Sequence, residues 1–474
     1  MSTTPPAGTG TVEVGAPTRQ QLRTTVLAAS FGNLVEWFDF TTYGLLATTI
    51  AVHFFTAEGA AESSTPVLLA FATFGVGFLA RPLGGLLIGL YGDRRGRKPA
   101  LLLSIGLMGA STFAVALLPD QSSIGLAAPL LLVLLRLLQG VAAGGEWGGA
   151  ASFLVEWAPT RRRGLFGSVH TATIFVGTLT GSLTIAALTA GLGADAMGDW
   201  GWRIPFAIGG VLALIAIPVR LRAEETPVFR AEAAHAADAA AGASTTGTTT
   251  AGTTTAGTLA AERPGVAASM PTTRRALLRR LGFTFCLVGM QSAAVYTYTS
   301  YFPTFAQRYT TNGGEPVGAD AALFSNALAS VVVIAVVVAS GTLSDRVGRK
   351  PGMVLSCFLV LTLSYPLIWL ASTADSLAVT VAVQCALAAS VAVFLGCLPV
   401  VLVELFPARV RVAGLSTSYN ISSAVFGGFA PLIASGLVDV TGFPPNASLW
   451  AVTAAVVSTV AVLFFRETRG VDLA

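Results

Sequence analysis

Long apolar stretches follow one another along most of this chain, separated by short polar turns. A helix needs about 20 apolar residues to cross about 30 Å of hydrocarbon. On that scale the pattern predicts six membrane spans near 24–53, 66–91, 99–118, 126–157, 164–190 and 204–221. It predicts six more near 281–307, 321–343, 352–371, 377–405, 413–438 and 447–465. The expected fold is an all-α membrane protein with twelve transmembrane helices.

The polar turns repeat. The pattern GxxxDRxGRK begins at Gly89, after span 2, and again at Gly341, after span 8, 252 residues further on. A second pair keeps nearly the same register. Span 4 leaves as FLVEWAPTRRRG and span 10 as VLVELFPARVRVAG, which sets Glu156 and Glu404 248 residues apart. Two pairs at nearly one offset indicate duplication, so the spans form two pseudo-symmetric six-helix halves. The expected organisation is a tail at 1–23, a first half at 24–221, a linker at 222–280, a second half at 281–466 and a tail at 467–474.

Charge fixes the orientation. Of 28 Lys and Arg, 24 fall on the side that holds both termini and both repeated turns. Only Arg203 and Arg308 fall on the opposite side, while Arg81 and Arg136 lie inside spans. Positive loops collect in the cytoplasm, so both termini are expected there, with the chain multi-pass in the cell membrane. The residues at 231–261 are almost all Ala, Thr and Gly and form no core, which reads as a flexible cytoplasmic linker. The basic residues Arg274, Arg275, Arg279 and Arg280 before span 7 suit anionic headgroups. The small, polar first seventeen residues do not resemble a cleaved signal peptide.

Composition narrows the class. Apolar residues make up 53% of the chain and charged residues 11%, where soluble proteins carry about 25% charged. Mean hydropathy is +0.72. The net charge of +4 belongs to the loops, so nucleic acid is not an expected partner; the lipid bilayer is. The four cysteines each sit in an apolar run without CxxC spacing and read as small buried hydrophobes. With three scattered histidines, no metal site, cofactor or enzyme chemistry is expected.

The chain resembles the major facilitator superfamily over nearly its whole length, and within it the metabolite:proton symporter branch. The residues that carry the likeness are the repeated turn, GNLVEWFDFTTYG in span 1 and ARPLGGLLIGLYGDRRGRKP through span 2. RLLQGVAAGGEWGGAASFLVEWAP in span 4 and EETPVF after span 6 add to it. The branch contains proton-coupled carriers of α-ketoglutarate, citrate, shikimate, dicarboxylates and proline or glycine betaine. These signatures recur across carriers of different substrates, so the resemblance implies the machine and leaves its cargo open. It implies a monomeric carrier with a proton as coupling ion and a small-molecule substrate.

Charges inside the spans locate the chemistry. Span 1 carries Asn33, Glu36 and Asp39, span 2 Arg81, and span 4 Arg136, Gln139 and Glu146. An ion at the centre of a lone membrane helix costs at least about 2.5–3.5 kcal/mol, so these groups need partners or water. At 1.5 Å per residue, Glu36, Asp39, Arg81 and Arg136 fall at similar depth. A carboxylate held between desolvation and a nearby guanidinium can load and release a proton as access alternates. Asp39 is the expected proton carrier with Arg136 as its partner, in agreement with the Asp–Arg pairing of sugar carriers in the superfamily. Glu36 is the rival. A static network that only locks the helices together is the alternative for all of them, and for Glu146, flanked by four glycines, it is the favoured one.

Substrate contacts are expected from Arg81, Arg136, Asn33 and Gln139 in the first half and Tyr296, Tyr419 and Asn420 in the second. Tyr296 and Tyr298 cannot share a face, and Tyr301 reads as an interface anchor. Asn326 and Gln384 fit either substrate or helix–helix hydrogen bonds, and His170 reads as a packed residue. In the repeated turns, Asp93 and Asp345 can accept from the N-termini of spans 11 and 5, while Arg97 and Arg349 can pair with Glu156 and Glu404. With Gly89 and Gly341, these residues form the expected cytoplasmic gate.

The resulting expectation is proton-coupled symport of a small polar, carboxylate-bearing solute, an organic acid or a proline- or betaine-like zwitterion, by alternating access. A proton-coupled efflux antiporter is the alternative, although the Gly-Pro element typical of span 5 in antiporters is missing. A non-transporting membrane sensor is a further one.

Overall fold

The computed structural model describes residues 19–56, 64–95, 97–156, 158–221, 274–406 and 411–471. Twelve helical segments account for nearly all of them. Helix α1 spans Arg19–Leu45 and, past Leu46, Ala47–Phe55; α2 spans Thr65–Arg95 and α3 Arg97–Leu117. Helix α4 spans Ala127–Ala143 and Glu146–Glu156, α5 Arg163–Leu192 and α6 Arg203–Leu221. The second half begins with α7, which spans Arg274–Val295, Tyr296–Tyr301 and Phe302–Tyr309. It continues with α8 (Ala319–Val347), α9 (Arg349–Thr373) and α10 (Leu377–Leu405). Helix α11 spans Arg411–Ser422, Ser423–Gly428 and Ala430–Thr441, and α12 spans Leu449–Phe464.

Helices suit lipid because each satisfies its own backbone. By length and hydropathy alone, eight of the described helices can cross a membrane, and the bent pair leading into α6 makes a ninth. The segments below that threshold have visible reasons. Helix α3 has a short apolar part, Leu102–Leu117. Helices α1 and α7 are interrupted and carry buried polar residues.

The halves meet where α5 packs on α8 and α10, α2 on α11, α1 on α7, and α4 on α11. Helix α10 is buried along most of its length, whereas α9 turns Val354, Leu355, Phe358 and Trp369 outward, as lipid-facing side chains do. The interruptions lie beside the interface. Leu46 leaves helical geometry at φ −95°, ψ 14°. Helix α4 pauses at Gly144, and α7 and α11 widen to π-helix at Tyr296–Tyr301 and Ser423–Gly428. Such bulges recur at functional sites.

The sequence expectation is departed from at several places. Helix α7 begins at Arg274, not near 281, because the stretch RRALLRR is made of good helix formers. The four arginines therefore occupy its first two turns, and the Ala/Thr/Gly linker at 231–261 lies outside the described residues. The all-α expectation gains a small antiparallel ribbon of β1 (Thr311–Asn312) and β2 (Glu315–Pro316), held to the α9–α10 turn by Gly314 N donating to Asp375 at 2.9 Å. The residues expected as a C-terminal tail are docked up to Val471. Glu467 accepts from Arg349 N and Lys350 N at the start of α9, and Arg163 donates to the Val471 carbonyl at 2.7 Å.

Candidate substrate and proton site

Close packing of α2 on α4 builds the centre. A Cβ at Gly144 would land on the Arg81 carbonyl, and one at Gly140 on the Gly77 carbonyl, so glycine lets the two backbones touch. That contact draws Arg81 and Arg136 toward α1, which supplies both acids.

Asp39 and Arg136 are fully buried and joined at 3.2 Å. Gln139 closes the cluster: it donates to Asp39 Oδ1 at 2.9 Å and to Thr112 Oγ1 at 3.0 Å, and accepts from Arg136 at 2.9 Å. Both carboxylate oxygens of Asp39 are thus engaged. The Arg136 guanidinium lies over the rings of Phe40 and Tyr43, 4.5 and 4.3 Å from their centroids. Cation–π attraction replaces part of the hydration that burial removes.

One turn nearer the repeated-motif end, Glu36 and Arg81 form a second buried pair at 2.9 Å. The Arg81 guanidinium sits 4.4 Å from the Phe78 ring, 4.5 Å from Phe40 and 5.9 Å from Trp37. The second half meets it with two tyrosines. Tyr296 stacks on Trp37 at 5.9 Å and meets Phe78 edge-on at 4.9 Å. Tyr419 stacks on Trp147 at 3.8 Å. Both hydroxyls lie within electrostatic range of Arg81 and Glu36. Arg81 Nε and the indole nitrogens of Trp37 and Trp147 are buried donors with no hydrogen-bond partner among the described residues.

The other expected contacts divide. Asn33 donates to the His170 carbonyl and to Thr173 Oγ1, which ties α1 to α5. Asn420 crosses the halves to the Gly144 carbonyl at 2.7 Å. Gln139 belongs to the Asp39 cluster. Asn326 and Gln384 join each other at 2.9 Å, with Ser182, Ser325 and the Tyr298 carbonyl as further partners, which is the helix–helix arrangement. Tyr298 bonds Ser364, away from Tyr296. Tyr301 is not an interface anchor: it is buried and meets Phe71 edge-on at 5.8 Å, because the π segment turns it toward the other half. His170 is buried, edge-on to Trp147 at 5.4 Å. Glu146 and Glu36 line one narrow cleft between α1, α3 and α4.

At the repeated-motif end, Asp345 accepts from Gly164 N at 2.8 Å and Leu165 N at 3.0 Å. Gly164 and Gly341 are in backbone contact. Arg349 pairs with Asp345 at 2.9 Å and approaches Glu404 at 3.5 Å. Glu156 pairs with Arg411 of the other half at 2.7 Å. Gly89 and the side chains of Asp93 and Arg97, expected to form the matching contact, lie outside what the structure describes. At the opposite end the halves also touch, through Gly44 against Ser300 and Phe71 against Tyr301. Among the described residues the halves therefore touch at both ends, with buried charge between them.

Trp37, Trp147, Thr112 and Arg411 were not singled out from sequence. The two tryptophans stand one residue from Glu36 and Glu146, and an aromatic adjoining an intramembrane acid is the signal that could have marked them.

The bundle of two six-helix halves enclosing buried ion pairs, together with its family, makes this chain a membrane transporter. The chain belongs to the sugar (and other) transporter family, whose model matches residues 25–474. It is 32% identical over 448 residues to a citrate-proton symporter of Klebsiella pneumoniae, covering 94% of this chain and 93% of that one. It is 33% identical over 459 residues to an ectoine/proline transporter of Corynebacterium glutamicum, covering 95% and 85%. Its fold matches the xylose transporter of E. coli in a partially occluded inward-open conformation, with TM-score 0.70, 17% identity, and 96% and 100% of the two chains covered.

Proposed function

We propose that this protein takes up a small polar, carboxylate-bearing organic solute together with a proton, by alternating access and as a monomer, with both termini in the cytoplasm. The observation that carries the reading is the pair of buried acid–arginine contacts, Asp39–Arg136 and Glu36–Arg81, side by side on α1. The names of the relatives support it: one is a citrate-proton symporter and another an ectoine/proline transporter.

In this reading Asp39 carries the proton. When it is protonated, Arg136 loses its counter-charge and the Gln139 cluster loosens; when it is ionised, the pair re-forms. Arg81, held by Glu36 in the structure, exchanges that carboxylate for the one on the substrate. Tyr296, Tyr419 and Asn420 bring the second half against the solute, so that binding draws the halves together. Asp345, Arg349, Glu404, Glu156, Gly341 and their first-half counterparts Gly89, Asp93 and Arg97 hold the cytoplasmic side shut.

Uptake into proteoliposomes tests this, against mono-, di- and tricarboxylates, proline and betaine, with and without an imposed proton gradient. At least one solute is expected to accumulate only with the gradient. Accumulation of none in response to the gradient ends the symport reading.

A further inference from the structure

Helix α7 carries a backbone fault that its own chain does not repair. Over Tyr296–Tyr301 the helix widens to π, and the Phe302 N–H bonds the Thr297 carbonyl, five residues back. The Tyr298 carbonyl thereby loses its ordinary donor four residues on. The next residue is Pro303, which has no N–H to give. Inside a membrane bundle bulk water does not make up the loss, so a side chain has to.

Gln384 of α10 does so. Its Nε2 donates to the Tyr298 carbonyl at 3.1 Å and to Asn326 Oδ1 at 2.9 Å, and its Oε1 accepts from Ser325 Oγ at 2.5 Å. Both ends of the amide are thus used. Asn326 then crosses to the first half, where its Nδ2 donates to Ser182 Oγ of α5 at 3.0 Å. Gln384, Ser325, Asn326 and Ser182 are fully buried. A satisfied buried network of this kind holds one geometry. The Gln384–Asn326 bond alone would join two helices. The bond to a carbonyl that α7 itself leaves unserved sets this amide apart.

The widened turn positions tyrosines at both its ends. Tyr296 stacks on Trp37 and meets Phe78 edge-on, and Tyr301 meets Phe71. Return to an α-helix would remove the one-residue excess and turn one end against the other by about 100°. Both tyrosines could not then keep their contacts. We propose that Gln384 is a positioning residue for the solute site. By capping the Tyr298 carbonyl it holds the π register that places Tyr296, and through Asn326 and Ser182 it ties that register to contact between the halves. The inference rests on the reading that Tyr296 meets the solute.

Hydrogen exchange on the purified full-length protein tests the cap without any ligand. Gln384→Met keeps length and bulk but donates nothing. Exchange at 296–302 is expected to accelerate about tenfold or more, with α12 unchanged. Ser182→Ala, in the other half, is expected to accelerate the same segment by a smaller factor. Unchanged protection at 296–302 in Gln384→Met overturns the proposal. If that variant loosens α12 as well, Ser182→Ala decides: faster exchange at 296–302 upholds the proposal and unchanged protection overturns it. Uptake of citrate, 2-oxoglutarate, proline and glycine betaine then tests positioning. For the solute that accumulates, Gln384→Met is expected to raise the half-saturating concentration about fivefold or more. The same change in a Tyr296→Leu background is expected to add little, because both act through one contact. Fully additive effects overturn the positioning role. Accumulation of no solute by the wild type ends the symport reading, while hydrogen exchange still decides the cap.

Discussion

Asp345 of α8 caps α5 in the other half: its two carboxylate oxygens accept from Gly164 N at 2.8 Å and Leu165 N at 3.0 Å. A helix N-terminus presents free N–H groups and partial positive charge, so a carboxylate there meets both needs. Arg349, at 2.9 Å, holds the same carboxylate in place. Hydrogen bonds to a charged group contribute about 1.5–3 kcal/mol each. Asp345→Asn replaces one acceptor with a donor facing an N–H. Amide exchange at Gly164 and Leu165 is expected to accelerate by about tenfold or more, and unchanged protection would remove the latch from the mechanism.

Gly144 is where α4 lies against α2, and a Cβ there meets the Arg81 carbonyl. Gly144→Ala must push the helices apart, at a cost of about 1–3 kcal/mol for overpacking. A lowered thermal midpoint in detergent is expected, together with weakened solute binding as Arg81 leaves Glu36. A variant with wild-type midpoint and wild-type affinity would show that this contact does not position Arg81.

Asp39→Asn keeps an acceptor for Gln139 or Thr112 but removes the charge opposite Arg136. Substrate exchange across proteoliposomes is expected to continue, while gradient-driven accumulation is lost. Full accumulation by this variant would transfer the proton to Glu36.

Glu467 offers a pH signature outside the membrane spans. Burial pushes its carboxyl up, but backbone N–H groups of Arg349, Lys350, Arg469 and Thr468 outweigh this and leave it below the ordinary range. A value lower in the folded state stabilises the docked segment fully above the ordinary glutamate value of about 4.3. The stabilisation is lost as pH falls through the lower folded value. Protection of the first turn of α9, corrected for intrinsic exchange, is expected to hold from pH 7 to about 5 and to drop below about 4. Glu467→Gln is expected to be less protected at neutral pH and to lose this step. An identical pH profile in the variant would assign the cap to another group.

Much of this was legible because lipid makes errors expensive. Span positions follow from hydropathy, and a charge inside a span demands a partner, so counting rise along spans 1 and 4 was enough to bring Asp39 near Arg136. Backbone irregularities were not legible. Nothing in YTYTSY at 296–301 or SAVFGG at 423–428 announces a π-helix; packing between halves selects it, and it buries Tyr301. Partner choice across the halves was also hidden. Glu156 finds Arg411, 255 residues away, a pairing set by how α4 meets α11 and by no local pattern. The docked segment at 466–471 gave no signal, because a short polar stretch after the last span reads the same whether free or bound.

Proton and solute are expected to move in the same direction through one site. Proteoliposomes loaded with a pH-sensitive dye, at equal pH inside and out, report it directly when solute is added outside. The expected result is internal acidification that depends on solute and is abolished in Asp39→Asn. Internal alkalinisation would establish antiport instead, and solute influx with no pH change would contradict proton coupling.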